Sequence, residues 1–433
     1  MALLGRIRLR TTGALPAPFW LYFAGQGVSN LGSAFTTVAV PLLVYRLTRS
    51  ATELGATTAV TYLPWLLFGL LGGAVLDRVD RKRAMVLADL VRAATICLIP
   101  ALAAFGELGV SWIYTVIFVQ SSMSVLFTSG QFTAVAALVS KDRLVRANAL
   151  VTGSFSGATV VGAGLAGLLF SIVLIADVLY IDGFSFVVSA LSLLLVRASF
   201  NEQAPEGLGT GSLNQLLGTL AEDTKEGLSY VWHHRVLRSL SLQLMVVNLF
   251  GSGATAELAL FATQRLDADN SKVGYLYAAS DLGVVVVSFV VGSLSRRFSL
   301  AAIIGAALGI YGAGTAVFGL LHAYSVALVL QGAIGGATVL YNVSSAALRQ
   351  RVVPDALRGR VWSIALTGAW CAIPIGSLGA GLVIGATQDV RAVYVTVGVA
   401  IVLIALAFSR FLVPTPEERE LSSGEGPSSR RNC

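Results

Sequence analysis

Stretches of about twenty residues with almost no charge recur along the whole chain, and they leave one choice of solvent. Phe19 to Tyr45, Leu54 to Leu76 and Asp389 to Phe411 are three of them. At about 1.5 Å per residue each matches the roughly 30 Å hydrocarbon core of a bilayer. Composition closes the alternative. Of 433 residues 55% are hydrophobic and 12% charged, with a mean hydropathy of +0.78, whereas a soluble domain carries about 25% charge. So few charges cannot cover a water-facing surface of this size. Strand-period alternation is absent, which argues against an outer-membrane barrel, and 45 glycines suit close helix packing in lipid. The expected fold is all-α and integral to the membrane.

Transmembrane helices are predicted near 19–45, 54–76, 84–105, 110–138, 146–171, 177–197, 239–264, 272–295, 299–321, 323–348, 361–386 and 391–412, twelve in all. The net charge of +7 falls between them and on one side. Arg6, Arg8 and Arg10, then Arg78, Arg81, Lys82 and Arg83, then Lys141, Arg143 and Arg146, then Arg197, Lys225, Arg235 and Arg238, then Arg296 and Arg297, then Arg349, Arg351, Arg358 and Arg360 share that side. The other side holds only Arg46, Arg49, Arg265, Lys272 and Arg391. Such asymmetry fits an even helix count in the cell membrane with both termini cytoplasmic. The charge excess is therefore an orientation signal, and no nucleic-acid partner is expected. Arg6, Arg8 and Arg10 before an apolar run resemble a signal peptide, but Phe19 to Tyr45 is too long for one and no small-residue cleavage site closes it.

The longest polar stretch divides the helices six and six. The expected units are a cytoplasmic segment 1–18, a six-helix bundle 19–200, a linker 201–238, a second six-helix bundle 239–412 and a disordered tail 413–433. Within the linker Leu213, Leu216, Leu217, Leu220, Leu228 and Val231 recur at roughly helical spacing, as in a helix lying on the membrane surface. The halves look alike. Asp142-Arg143-Leu144 precedes helix 5 with Gly162, Gly164 and Gly167, and Asp355-Ala356-Leu357 precedes helix 11 with Gly376, Gly379 and Gly381, about half the chain further on. A parallel repeat of this kind places a substrate site at the interface of the halves, near the midplane.

Between helices 2 and 3 the segment Gly73-Ala74-Val75-Leu76-Asp77-Arg78-Val79-Asp80-Arg81-Lys82-Arg83 resembles the signature loop of the major facilitator superfamily, G-x-x-x-D-R-x-G-R-K/R. It departs at Asp80, where that family has Gly. The D-R-x-D-R form resembles the exporter branch that includes enterobactin exporters and macrolide efflux proteins. Ser29-Asn30-Leu31-Gly32, Arg146-Ala147-Asn148-Ala149-Leu150, Ile181-Asp182-Gly183-Phe184-Ser185-Phe186, Val353-Pro354-Asp355 and Arg358-Gly359-Arg360-Val361 extend the resemblance over nearly the whole chain. It implies the major facilitator fold of two six-helix pseudo-symmetric halves, with helices 1, 4, 7 and 10 around a central cavity. Helix 4 has no arginine, helix 1 has Ser33 and no carboxylate, and the loop after helix 8 keeps only Gly292, Arg296 and Arg297 of the signature.

The loop also has a physical case. Gly73 permits close backbone approach, and Asp77 carries a charge that the N-terminus of a facing helix stabilises. The resemblance makes that helix the eleventh, starting near Arg360. Asp89 and Arg92, three apart on helix 3, can pair with each other or with the loop cations. The gating set is Gly73, Asp77, Arg78, Arg81, Lys82, Asp89 and Arg360; the plainer reading is that the cations only fix topology.

Inside the membrane, Gln26, Asn30, Ser33 and Thr37 form one stripe on helix 1, Gln120, Ser124, Thr128 and Gln131 one on helix 4, and Gln331, Thr338, Asn342 and Ser345 one on helix 10. They read as a polar cavity wall, with Gln26, Asn30, Gln120, Ser124, Asn342 and Trp370 as substrate contacts, or as hydrogen bonds between neighbouring helices. Two carboxylates are sharper. Glu257 on helix 7 and Asp281 on helix 8 both sit ~12–13 Å below the outer helix ends. Acids at such depth mark proton or cation pathways. Glu257 projects roughly opposite Asn248, so unwinding near Gly251 and Gly253 is needed to bring both to one cavity. Tyr277 and Ser288 continue the stripe of Asp281 and are candidate donors to it. Asp182 reads as structural.

No G-x-x-x-x-G-K-[ST] occurs and no lysine follows a glycine, so no P-loop is present. His233, His234 and His322 form no ligand pattern, and Cys97, Cys371 and Cys433 are few and far apart. Neither enzyme, cofactor nor metal site is expected. The expected function is secondary active transport, as proton-coupled efflux of small amphipathic compounds (drug, antibiotic or siderophore-like) by alternating access. The partners are the small-molecule substrate, a proton or other coupling cation and the lipid bilayer, and the chain reads as a monomer. A lysophospholipid flippase, a solute importer of the same fold and a non-transporting scaffold are the competing readings.

Overall fold

The computed structural model describes residues 15–69, 79–198, 200, 225–354 and 357–409. The helices of the first half are α1 (Ala17–Thr48), α2 (Ala51–Phe68), α3 (Arg81–Ala104), α4 (Val110–Leu138), α5 (Leu144–Leu169) and α6 (Val178–Leu195). Those of the second are α7 (Arg235–Ala256), α8 (Leu258–Arg265), α9 (Asn270–Arg297), α10 (Leu300–Leu320), α11 (Tyr324–Val352), α12 (Arg358–Thr387) and α13 (Val390–Ser409). Eleven described helices are long and apolar enough to cross a membrane. The 18-residue α2 stands in the place of the remaining span, and α7 with α8 fills the place of the seventh, so the order is that of twelve spans. Helix 7 starts at Arg235 rather than near 239, which puts Arg235 and Arg238 on the helix. Gly73, Asp77, Arg78 and Leu213 to Leu220 lie outside the described residues. Of the linker's apolar positions, Leu228 is exposed and Val231 buried.

Short polar side chains start the helices. Ser50, Asp80, Asp269 and Ser299 each accept the N–H three residues on, a cap worth about 1 kcal/mol. Asp80 gives the signature loop's departure a reason: its Oδ1 accepts the Arg83 N–H at 2.8 Å and caps α3, which a glycine has no side chain to do.

Contacts within the halves repeat. In the first, α1 packs on α5 and α6, α3 on α4 and α6, and α2 on α4; in the second, α7 packs on α12 and α13, α10 on α11 and α13, and α9 on α11. Two further contacts cross between halves and exchange under the same symmetry: α2 with α12 and α5 with α9. Both are closest at the end with few cations. There Gly381 comes so near α2 that a Cβ would lie 2.6 Å from the Ala51 carbonyl oxygen, an approach that needs small residues.

Toward the cation-rich end the halves part. One buried core joins the second half to the cation-poor part of the first, whereas the cation-rich end of the first half has its own core, built on Phe19, Tyr22, Met85, Phe127, Leu138 and Leu193. Along α9 only Val273, Gly274 and Leu276 are buried, all near its start. Gly153 and Gly157 on α5 and Gly292 on α9 have nothing within 4 Å of where a Cβ would sit. Among the described residues the molecule is closed at its cation-poor end and open at the other.

Candidate functional site

Two cavities lie beneath the closed end. One, of about 340 Å³, belongs mainly to the second half and is walled by Tyr277, Asp281, Tyr311, Thr315, Gln331, Thr338 and Tyr394. The other, of about 380 Å³, belongs mainly to the first half and is walled by Ser33, Thr36, Thr57, Thr61, Arg92, Gln120, Ser124 and Asp182. Thr37 of α1, Thr255 of α7 and Tyr277 of α9 line both. The cavities therefore adjoin across the interface between halves.

The first-half wall carries a buried ionic network. Asp89, with no exposed surface, accepts from Ser189 at 2.5 Å and from Arg92 at 3.4 Å. Gln26 donates to the same Ser189 at 2.8 Å. Asp182 accepts from Ser33 at 3.3 Å, from Ser185 at 3.2 Å and from Thr36. The Arg92 guanidinium lies 3.8 Å over the Phe186 ring, a favourable seat for a desolvated cation. Gln120 fixes the Arg92 backbone by donating to its carbonyl at 2.7 Å. One cation thus stands among two carboxylates, and hydroxyls supply the rest of what those carboxylates need.

The second-half wall is acidic. Asp281 makes no hydrogen bond or ion pair among the described residues; Tyr277 walls the same cavity without bonding it, and Ser288 donates instead to the Val284 carbonyl at 2.7 Å. Glu257 is wholly buried, and neither of its carboxylate oxygens has a partner among the described residues. It also breaks its helix. The residue is at once the C-cap of α7 and the N-cap of α8, with φ −92° and ψ 7°. The expected unwinding near Gly251 and Gly253 is therefore displaced to Glu257 itself. The two glycines stay helical and serve packing, Gly253 against Ala380 and Gly251 beneath the Tyr311 hydroxyl. Tyr394, whose ring packs 4.7 Å from Phe261, donates to the Ala254 carbonyl at 2.6 Å and braces the break. By contrast Asp389, in the loop between α12 and α13, accepts hydrogen bonds from Arg391 that hold its carboxyl below the ordinary value.

The remaining sequence candidates scatter. Gln26 is buried on the α1–α6 seam through Ser189, so it joins helices and faces neither cavity. Asn30 and Asn342 are outside both walls, and Asn342 is exposed. Trp370 meets Trp65 edge-on at 5.3 Å across the α2–α12 seam. Asp89 takes Arg92 as its partner, deep in the first half. Lys82 reaches the Leu194 carbonyl at 3.5 Å and that of Val196, and Arg81 the Phe200 carbonyl at 3.4 Å. Lys82 thus holds the end of α6, where unpaired carbonyls favour positive charge, and Arg81 holds the segment beyond it. Arg360 lies in the first turn of α12, whose N-cap Leu357 offers no side-chain acceptor. The place of Arg92 in the cavity wall went unread, although eleven residues into α3 puts it about 16 Å from the helix start, too deep for a loop cation.

The sequence profile of the family described as transmembrane secretion effector matches residues 17–429. A multidrug efflux pump, Tap, of Mycolicibacterium fortuitum is 25% identical over 384 residues, covering 86% of this chain and 90% of its own. Macrolide efflux protein A of Streptococcus pyogenes is 28% identical over 179 residues, 41% of this chain and 44% of its own. Among solved structures, the nucleoside transporter NupG superposes with a TM-score of 0.71 at 13% identity, over 92% of this chain and 100% of that one. A bacterial homologue of the iron transporter ferroportin, in an inward-facing state, gives 0.70 at 16% identity, over 92% and 99%.

Proposed function

The chain belongs to the transmembrane secretion effector family of the major facilitator superfamily, and on that footing we propose that it exports small amphipathic compounds across the cell membrane in exchange for protons. The observation that carries this reading is the unpaired Asp281 in the wall of a cavity between the two halves. The relatives named for multidrug and macrolide efflux support the direction. Loops rich in Arg and Lys stay cytoplasmic, so both termini are inside and the open end faces the cytoplasm. In that state a solute enters from the cytoplasm or the inner leaflet.

Asp281 is the exchangeable acid and Glu257 the buried one. When the halves rock and the outer end opens, Asp281 takes a proton from the outside as the solute leaves; after the return it releases that proton inside. The inner gate is the docking of Asp77 on the N-terminus of α12, an end that its own sequence leaves uncapped. Gly73 allows the approach, Arg78 and Arg360 complete the charge pattern, and Arg81 and Lys82 keep α6 in register with the loop.

The test is transport into inverted vesicles, with and without an imposed pH gradient, across a panel of dyes and antibiotics against headgroup-labelled lysophospholipids. Gradient-dependent accumulation of a dye or antibiotic is expected, and it is lost in Asp281→Asn while downhill exchange persists. Accumulation of the lipids alone turns the reading to a flippase. Uphill transport by Asp281→Asn at the wild-type rate moves coupling to another residue.

A further inference from the structure

Resting on the export reading, we propose that the second-half cavity is an amine site, made for a solute that carries one protonated nitrogen on an aromatic or cyclic apolar body. Four of the wall's hydroxyl protons are already committed, and the Gln331 amide also brings donors to it. Thr315 donates to the Tyr311 carbonyl at 2.8 Å, Thr338 to that of Ile334 at 3.0 Å, Thr255 to that of Gly251 at 3.2 Å and Tyr394 to that of Ala254 at 2.6 Å. A hydroxyl has one proton and two lone pairs, so groups bonded in this way offer the cavity acceptors. To these Asp281 adds a carboxylate with no bond among the described residues.

No lysine, arginine or histidine lines this cavity among the described residues. The cation in the adjoining one, Arg92, is held by Asp89 and its charge also reaches Asp182. Wholly buried Glu257 stands behind the wall, unpartnered among the described residues and close to Tyr277 and Tyr394. Aromatic faces, free acceptors and the one uncompensated acid in the wall, Asp281, together attract a cation and repel an anion. The ammonium belongs at Asp281 and the rings against Tyr277 and Tyr311. At about 340 Å³ the cavity is at the lower end of the usual ~300–1,000 Å³ for ligand sites, so a large solute enters by its amine-bearing part only.

The experiment is equilibrium binding to the full chain in lipid nanodiscs, without a gradient. The probe is an acridine with a dimethylaminopropyl arm, compared with analogues whose arm ends in a methyl ether or a carboxylate. The amine is expected to bind about tenfold tighter than the ether, with the carboxylate weakest. Asp281→Asn brings the amine down to the ether's level and leaves the ether unchanged, Asp281→Glu keeps the preference, and Glu107→Gln, exposed between α3 and α4, changes nothing. In the wild-type protein, carbodiimide modification of Asp281 read by mass spectrometry is slowed by the amine and not by the ether; this second measurement needs no variant to fold. Equal binding of the three probes, a preference that survives Asp281→Asn, or absence of protection each overturns the proposal. A protein that prefers the amine yet pumps nothing fails the export reading alone, and one that pumps while binding all three alike fails this inference alone.

Discussion

Gly274 on α9 lies so near Gly167 on α5 that a β-carbon on the former would come within 2.6 Å of the latter's Cα. Two backbones meet there, and the meeting closes the cation-poor end. Rocking must separate this crossing and form another at the opposite end, where Gly153, Gly157 and Gly292 now face open space.

A side chain at the crossing is therefore a wedge. Gly274→Leu is expected to insert normally, to hold the cation-poor end open and to lower transport at least about tenfold, since leucine has no room to relax against a backbone. A reporter Thr37→Cys, in the wall common to both cavities, should then react with an outside thiol reagent several times faster than in the Gly274 protein. Unchanged labelling removes the crossing from the gate.

Arg92 compensates buried acids. Arg92→Gln leaves Asp89 with Ser189 alone, and breaking one side of a buried pair costs up to about 3–5 kcal/mol. The lone 3.4 Å contact puts this case toward the lower figure. Thermal unfolding in detergent should shift downward, and Asp89→Asn added to Arg92→Gln should recover part of the loss. A double variant no more stable than the single one means that Arg92 serves packing on Phe186 instead.

Glu257 has the opposite sign. A buried polar group without partners costs about 1–3 kcal/mol, so Glu257→Met is expected to raise stability by that order while uncoupling transport from the pH gradient. Gain of stability with loss of coupling is the mark of a residue kept for function. A destabilised Glu257→Met, pumping as before, shows the carboxylate to be part of the fold.

On the proposed inner gate, neutralising Asp77 removes the charge that docks on the start of α12. Asp77→Asn is expected to reach the membrane at the normal level and to transport several-fold more slowly, a contact of this type being worth about 0.3–2 kcal/mol. Wild-type rates at equal expression would leave the loop a topological signal only.

The spans were legible because lipid tolerates little else than twenty apolar residues per crossing, and the division into halves because the same short motifs return half a chain later. The break in the seventh helix was legible only in part: the sequence predicts unwinding near Gly251 and Gly253, and it lies at Glu257. Glutamate is an ordinary helix former, and the Tyr394 hydroxyl that braces the break comes from a distant helix, α13. Gln26 and Gln120 show a second limit. Both belong to polar stripes, yet one joins two helices and the other borders a cavity, because periodicity fixes a face and says nothing of which neighbour that face meets. Asp182 read as structural from its place near a helix end, and it does bind three hydroxyls; its share in a cavity wall depends on Arg92, brought to it by another helix.

Among the described residues, the closest backbone approaches between the halves at the cation-poor end involve Ala51, Thr52, Gly55, Gly167, Gly274 and Gly381, none of them charged. Dissolved ions screen attraction between charges over about 8 Å at physiological ionic strength but leave contact between neutral backbones almost untouched. The door at the cation-poor end should accordingly hold with the same strength in fresh or briny surroundings, leaving sensitivity to salt to the cation-rich end.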